Sequence, residues 1–231
     1  MKKLGLIGGL GPASTPDYYL GVIDGYRRRT GDINYPEIII YSVNMTETTG
    51  HAERGEWDEV ARQMSGAADS LARAGADFAA IASNTPHIVF GEISGRSPIP
   101  MISIVDETCK FAARAGYKRV LVIGTLFTME SGLYDVPLAE HGIAPLTPDG
   151  GDRKRIYSLF FPNLENGIVV PEDRTEMLKL VDQIAYDQRA DSLLLGCTEL
   201  PLMIKPGDVR VPVIDTTRVH IDSIVDHLIN N

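Results

Sequence analysis

The sequence predicts an α/β protein of two similar lobes, each a short parallel sheet flanked by helices, the pair related by an approximate two-fold axis. Three observations carry this. Strand-like and helix-like segments alternate along nearly the whole chain, the pattern of parallel sheets covered by helices. The order of segments then restarts, with Lys118–Gly124 resembling Lys3–Gly8. Finally, Phe78-Ala79-Ala80-Ile81-Ala82-Ser83-Asn84-Thr85 and Ser192-Leu193-Leu194-Leu195-Gly196-Cys197-Thr198-Glu199 are both apolar runs that end in small polar residues. Buried parallel strands read this way. The lobes are expected over 1–104 plus 216–231 and over 105–215, with the active site in the cleft between them.

The elements follow in order. Lys3–Gly8 is the first strand. Ser14 or Thr15 caps the next helix, with Pro16 in its first turn and Asp17 at its positive end. Tyr18, Tyr19, Val22, Ile23 and Tyr26 form its apolar stripe. Glu37–Val43 is the second strand, and Asn44–Arg54 reads as a long polar loop able to reach over a cleft. Gly55–Gly75 is a helix with Trp57, Val60, Ala61, Met64, Ala68 and Leu71 on one face. Asp77–Ala82 and Pro100–Ile104 are the third and fourth strands. In the second half a helix runs from near Ser131 to Gly142, and Ile143–Leu146 is a short strand. Thr147–Asp152, rich in Gly and Asp, is a flexible connector. Met177, Leu180, Val181 and Ile184 line a helix. Asp191–Gly196 and Val211–Ile214 are strands, and Arg218–Ile229 is a last amphipathic helix.

Composition narrows the function. The 231 residues carry a net charge of −9, which argues against nucleic acid as a partner. Arg27-Arg28-Arg29 and Arg153-Lys154-Arg155 read as solvated helix faces. The N-terminal apolar run is too short for a signal peptide, and no stretch approaches the roughly 20 apolar residues of a membrane span. A cytoplasmic protein with no membrane partner is expected. Cys109 and Cys197 lack CxxC spacing, so neither a disulfide framework nor a zinc site is implied. His51, His141, His220 and His227 have no metal-ligand spacing and read as surface or helix-packing residues. No metal site is expected.

In open parallel sheets ligands lie beyond the carboxyl ends of the strands. Gly8-Gly9, Ser83-Asn84-Thr85, Gly124-Thr125 and Cys197-Thr198 all fall at such ends. Gly8-Gly9-Leu10-Gly11-Pro12 lacks the G-x-G-x-x-G spacing of a dinucleotide site. It is either a turn that lets a small anion approach the backbone or a tight turn and nothing more. Ser83, Asn84 and Thr85 offer hydroxyls, an amide and backbone N–H groups for an α-carboxylate, with Thr198 completing the clamp. Strand-end capping is the alternative. Neighbouring N–H groups and a helix start can lower the Cys197 pKa, making it a base or nucleophile; an inert buried thiol is the alternative. Glu199 can orient that thiol or bind a substrate ammonium. Cys109 reads as core and His87 as local packing, and a Ser83/His87 hydrolytic pair lacks the G-x-S-x-G elbow. Ser83 and Cys197 hold matching places. If they face one another across a cleft, the arrangement suits proton transfer at a carbon acid.

Leu6-Ile7-Gly8-Gly9-Leu10-Gly11-Pro12, Ser83-Asn84-Thr85-Pro86-His87 and Leu195-Gly196-Cys197-Thr198-Glu199 together resemble the cofactor-independent aspartate/glutamate racemase family, over essentially the whole chain. The stretches Gly124–Glu130 and Pro212–Asp215 fit it as well. The resemblance implies an isomerase acting on a small amino acid, two lobes with the active site between them, neither pyridoxal phosphate nor metal, and a homodimer. It implies two opposed bases, typically cysteines, of which Cys197 is one. Asn84, Thr85 and Thr198 would hold the α-carboxylate, and Gly9 would complete the pocket. Ser83 stands where the family has its other cysteine, and a serine hydroxyl is far harder to deprotonate than a thiol of pKa ~8.5. Three outcomes follow: racemisation with Ser83 or a water relaying one proton, a strong bias to one enantiomer, or a one-sided reaction such as the single-cysteine decarboxylation of arylmalonate decarboxylases. A non-catalytic amino-acid-binding relative is a further class. For an acidic substrate Arg54 is the candidate cation for the distal carboxylate. Glu165, within Asn163–Gly167, stands where some relatives place a basic residue.

Overall fold

The computed structural model describes residues 2–11, 13–31 and 33–230; the Pro12 end of the glycine turn therefore lies outside the described residues. The chain forms two compact units, Met1–Ile104 with Thr217–Asn231, and Val105–Thr216. In order, the elements are β1 (Leu4–Gly8), α1 (Ser14–Thr30), β2 (Ile38–Ser42), α2 (Met45–Glu53), α3 (Trp57–Arg73), β3 (Phe78–Ile81), α4 (Phe90–Arg96), β4 (Met101–Ile102) and α5 (Ile104–Arg114). There follow β5 (Arg119–Gly124), α6 (Leu126–Glu130), α7 (Asp135–Glu140), β6 (Ala144–Leu146), α8 (Gly150–Phe160), α9 (Pro171–Asp187), β7 (Ser192–Gly196), α10 (Leu200–Met203), β8 (Val213–Asp215) and α11 (Thr216–Asn230). Short 3-10 turns cover Thr85–Val89 and Leu164–Asn166.

Each unit holds one four-stranded sheet, in the orders β2-β1-β3-β4 and β6-β5-β7-β8, with every pairing parallel. The expected α/β class with two similar parallel sheets is therefore what the chain adopts. The likeness extends to single hydrogen bonds. Lys3 N–H donates to the Asp77 carboxylate at 2.7 Å, and Lys118 N–H to Asp191 at 2.6 Å. Pro100 O accepts from Ala79 N at 2.8 Å, and Pro212 O from Leu193 N at 2.8 Å. In both units the acid pins the start of the central strand pair, and the proline supplies only a carbonyl, consistent with its place on an edge strand.

The central strands are buried on both faces, as parallel strands between helices must be. In the first unit Leu4, Leu6, Phe78 and Ala80 pack with Tyr18 and Val22 of α1 and Ile221, Ile224, Val225 and Leu228 of α11. In the second, Leu121, Ile123, Leu193 and Leu195 pack with Ile156, Met177 and Val181 of α8 and α9. Burying one such leucine is worth about 1.5–3 kcal/mol. Arg27, Arg28 and Arg29 occupy the last turn of α1, where cations favour the helix dipole. Arg153-Lys154-Arg155 likewise lie on a helix, α8.

Several expectations need correction. Asn44–Arg54 is not a loop: Asn44 caps α2, its side chain accepting from Thr46 N at 3.2 Å, and Thr48 and Ala52 are buried. Thr147–Asp152 is not a flexible connector, because Asp149 accepts from Gly151 N and Asp152 N at 2.8 and 2.9 Å and starts α8. The helix expected from near Ser131 to Gly142 is only the shorter α7, Asp135–Glu140, set apart from α6, which ends at Glu130, by a turn around Gly132. Neither Ser14 nor Thr15 caps α1 from outside. The helix begins at Ser14, whose hydroxyl donates to Gly11 O, while Thr15 Oγ1 accepts from Gly9 N. Tyr19 is exposed, and α1 buries Tyr18, Val22 and Gly25 instead. Cys109 and Ala112 of α5 are fully buried.

Candidate active site

Strand register explains why Ser83 and Cys197 are comparable positions. β1 aligns Ile7 with Ile81, and one step beyond the next pair stands Ser83. β5 aligns Gly124 with Gly196, and one step beyond stands Cys197. Each residue thus leaves the carboxyl end of a central strand, β3 or β7, where α/β ligand sites form.

In the first unit, Gly9 follows β1 at φ 85, a conformation that side chains other than glycine rarely adopt. Its N–H donates to Thr15 Oγ1 at 2.9 Å, and a Cβ would lie 2.5 Å from Val43 O. Both the turn and the close approach require glycine here. Ser83 is buried, and among the described residues its hydroxyl has no hydrogen-bond partner and hence no base to activate it. Asn84 is buried, and Thr85 and Pro86 open the 3-10 turn Thr85–Val89. His87 does not pair with Ser83. Its Nε2 accepts from Ile104 N at 3.3 Å, its ring stacks on Phe90 at 4.8 Å, and burial with the neighbouring His220 holds its pKa down at about 3. It is a neutral packing residue. His220 is not at the surface either: it is fully buried between Tyr18 Oη, at 2.8 Å, and Ile102 O, at 3.1 Å.

Arg54 follows α2 and is exposed. Its Nε and Nη2 reach both carboxylate oxygens of Glu56 at 2.9 and 2.8 Å, and His51 Nδ1 lies 2.7 Å from Glu56. The free loop cation expected at this position is a guanidinium committed to its own neighbour.

In the second unit, Cys197, Thr198 and Glu199 form one cluster. Cys197 Sγ donates to Glu199 Oε2 at 3.1 Å, and Thr198 Oγ1 donates to the same oxygen at 2.8 Å. Glu199 is 6% exposed and Cys197 7%. Glu199 Oε1 is buried with no hydrogen-bond partner among the described residues. Burial raises the Cys197 pKa well above that of an ordinary thiol, and the Glu199 charge adds to this; the backbone amides of Glu199 and Leu200 oppose both without prevailing. The lowered thiol pKa expected from nearby N–H groups is therefore reversed, because burial and a carboxylate outweigh them. Cys197 rests as a thiol. The Thr198 hydroxyl proton is given to Glu199 rather than left for a carboxylate.

Two supporting residues escaped the sequence reading. Thr216 Oγ1 donates to Leu195 O at 2.8 Å, and Thr128 Oγ1 to Gly196 O at 3.2 Å. They fix the last two carbonyls of β7 beneath Cys197. The available signal was their position, each just past a neighbouring strand end. Glu165, on the 3-10 turn Leu164–Asn166, is half-buried, and its pKa is raised by burial and by Glu199. Among the described residues no three His, Cys, Asp or Glu side chains gather in a metal-binding group, and no helix is long and apolar enough to cross a membrane.

Paired parallel α/β units with a thiol, a hydroxyl and a carboxylate clustered at one strand end define a class of two-lobed α/β enzymes. The family model described as Asp/Glu/Hydantoin racemase matches residues 7–224. An aspartate racemase homologue from Pyrococcus horikoshii is 34% identical, covers 100% of both chains and superposes with a TM-score of 0.86. A Yersinia pestis protein described as a candidate Asp/Glu racemase is 33% identical over 98% of this chain and 99% of its own, with a TM-score of 0.89. The broad specificity amino-acid racemase RacX of Bacillus subtilis is 30% identical over 93% of this chain and 92% of its own. The chain belongs to the Asp/Glu/hydantoin racemase family and is an enzyme of the isomerase class.

Proposed function

We propose that this protein racemises a small amino acid by removing and returning its α-proton, with Cys197 serving one face of the α-carbon and Ser83 the other. We place the lobe boundaries at 1–104 plus 216–231 and 105–215. The observation that carries this reading is the Cys197–Thr198–Glu199 cluster at the end of β7, in a chain that belongs to a racemase family.

The cluster can handle a proton in both directions. As an acid, the Cys197 thiol gives its proton to the α-carbanion and becomes thiolate. As a base, Cys197 first passes its proton to Glu199 across their hydrogen bond, and the thiolate then takes the α-proton. A substrate ammonium beside Glu199 competes for the oxygen that the Thr198 hydroxyl holds and frees that hydroxyl, which then joins Asn84 and Thr85 on the α-carboxylate. The Gly9 backbone closes that end of the pocket. Ser83 has no activating base, so a proton leaves or arrives more slowly on its face, directly or through water. The protein acts as a homodimer in the cytoplasm, without pyridoxal phosphate or metal.

The test is incubation of the enzyme in D2O with single enantiomers of amino acids. Loss of the Cα proton, with the opposite enantiomer appearing in step, is expected for at least one of them. Tight binding without Cα exchange would instead mark a binding protein.

A second reading is favoured by the resting thiol of Cys197 and by Ser83 having no base. One acid and no opposing base suit protonation of a carbanion left by decarboxylation. Carbon dioxide release from a substituted malonate identifies that chemistry.

A further inference from the structure

The family resemblance points toward acidic amino acids, whereas the charge around Cys197 points elsewhere. Glu199 is nine-tenths buried. One of its oxygens accepts hydrogen bonds from Cys197 and Thr198, and the other has no partner among the described residues. Glu165 is brought to the same place by the fold. Leu164 anchors its turn in the core shared with Leu200 and Met203 of α10, the helix that begins directly after Glu199. The turn and α10 pack together. Burial and the Glu199 charge raise the pKa of Glu165.

Among the described residues no cation answers these two carboxylates. Among the described residues no lysine, arginine or histidine forms an ion pair with either one. Three arginines of this unit are committed elsewhere: Arg155 to Glu176, Arg174 to Asp208 and Arg210 to Asp182. In the other unit Arg54 is held by Glu56.

A zwitterionic amino acid brings one cation, its α-ammonium, which suits the buried Glu199. Glu165 is then left facing the side chain. A substrate with a second carboxylate would set like charge against it, and among the described residues no ion-paired cation offsets the repulsion. A substrate with a cationic side chain supplies the missing partner. We infer that the enzyme's preferred substrates are amino acids with a cationic side chain, with Glu199 taking the α-ammonium and Glu165 the side-chain cation. The inference rests on the racemase reading above and adds the substrate class.

The experiment measures Cα proton loss in D2O by NMR for both enantiomers of lysine, ornithine, arginine, alanine, aspartate and glutamate. Thermal shifts are recorded with the same compounds, so that selectivity is read by binding as well as by turnover. The basic amino acids are expected to exchange at least ten-fold faster than aspartate and glutamate, and to raise the melting temperature where the acidic ones do not. Glu165→Gln should shrink that ratio, and Glu165→Lys should reverse it. Equal or faster exchange and binding of the acidic pair by the wild-type protein overturns the inference, since a protonated Glu165 would then be donating to the substrate carboxylate. A preference unchanged in both Glu165 variants overturns it too. Exchange with none of the twelve compounds defeats the racemase reading, while the thermal shifts still decide the side-chain preference.

Discussion

Cys197 and Glu199 stand two residues apart, and the thiol of the first donates to the carboxylate of the second at 3.1 Å. Thr198 Oγ1 meets the same oxygen at 2.8 Å. A carboxylate that accepts both hydrogen bonds keeps the sulfur protonated at rest, because a thiolate there would be a second buried negative charge beside the first. The reactive form has to be made when substrate arrives.

This can be read by alkylation. The pKa of Cys197 is raised by burial and Glu199, so the rate with iodoacetamide should climb at a higher pH than for an ordinary thiol. Glu199→Gln removes the charge while keeping an acceptor. At pH 8 it should speed alkylation of Cys197 roughly three- to ten-fold. Cys109, fully buried with its pKa pushed up to about 12, should stay unmodified in the folded protein. Slower alkylation in Glu199→Gln would show that the carboxylate activates the thiol rather than restraining it.

Gly9 offers a structural test of the turn after β1. A methyl group at this position would meet Val43 O at 2.5 Å and Ser42 Oγ at 2.6 Å, on backbone already at φ 85. Gly9→Ala should cost about 1–3 kcal/mol in urea unfolding. A loss below the error of the measurement would mean that the turn relaxes freely.

His87 makes the first unit sensitive to acid. Its folded pKa of about 3 lies below its ordinary value of 6.5. Its contribution to stability is therefore present above pH 6.5 and is lost as pH falls toward 3. In the window from pH 6.5 to 4.5, before most carboxylates titrate, the slope should approach about 1.4 kcal/mol per pH unit. His227, lowered by partial burial and by Lys2, adds to it in the same direction. His87→Gln should remove most of this slope in urea titrations at a series of pH values. An unchanged slope would assign the acid sensitivity to other groups.

Much of the fold was legible because the chain states it twice. Asp77 and Asp191, Pro100 and Pro212, and the strand ends at Ser83 and Cys197 recur at matching places, and one unit's reading supports the other's. What failed was local and polar. Asn44 with Glu47, and Asp149 with Asp152, carry the spacing of a helix start. Yet α2 buries only Thr48 and Ala52 and so reads as a loop, and Gly150-Gly151 disguise the start of α8, whose apolar residues Ile156, Leu159 and Phe160 come only later. At the site, residue types and spacing brought out Cys197, Thr198 and Glu199. Their mutual hydrogen bonds and the direction of the thiol's pKa depend on burial supplied by Leu164, Leu200 and Met203, which no local pattern encodes. The pairing of Arg54 with Glu56 was equally hidden, since either side chain alone reads as a free surface charge.

Ser83→Cys would restore a thiol where the family commonly has one. It should speed Cα–H exchange by at least ten-fold starting from the enantiomer whose proton faces residue 83, since a thiol is far more readily ionised than a hydroxyl. No gain from either enantiomer would place residue 83 away from the substrate.

The decisive measurement is Cα deuterium incorporation by Cys197→Ala, followed by NMR in D2O with both enantiomers of the best wild-type substrate. Incorporation is expected to fall to the background rate, with the protein still folded by circular dichroism. Incorporation at the wild-type rate would show that the α-proton is moved by some group other than this sulfur.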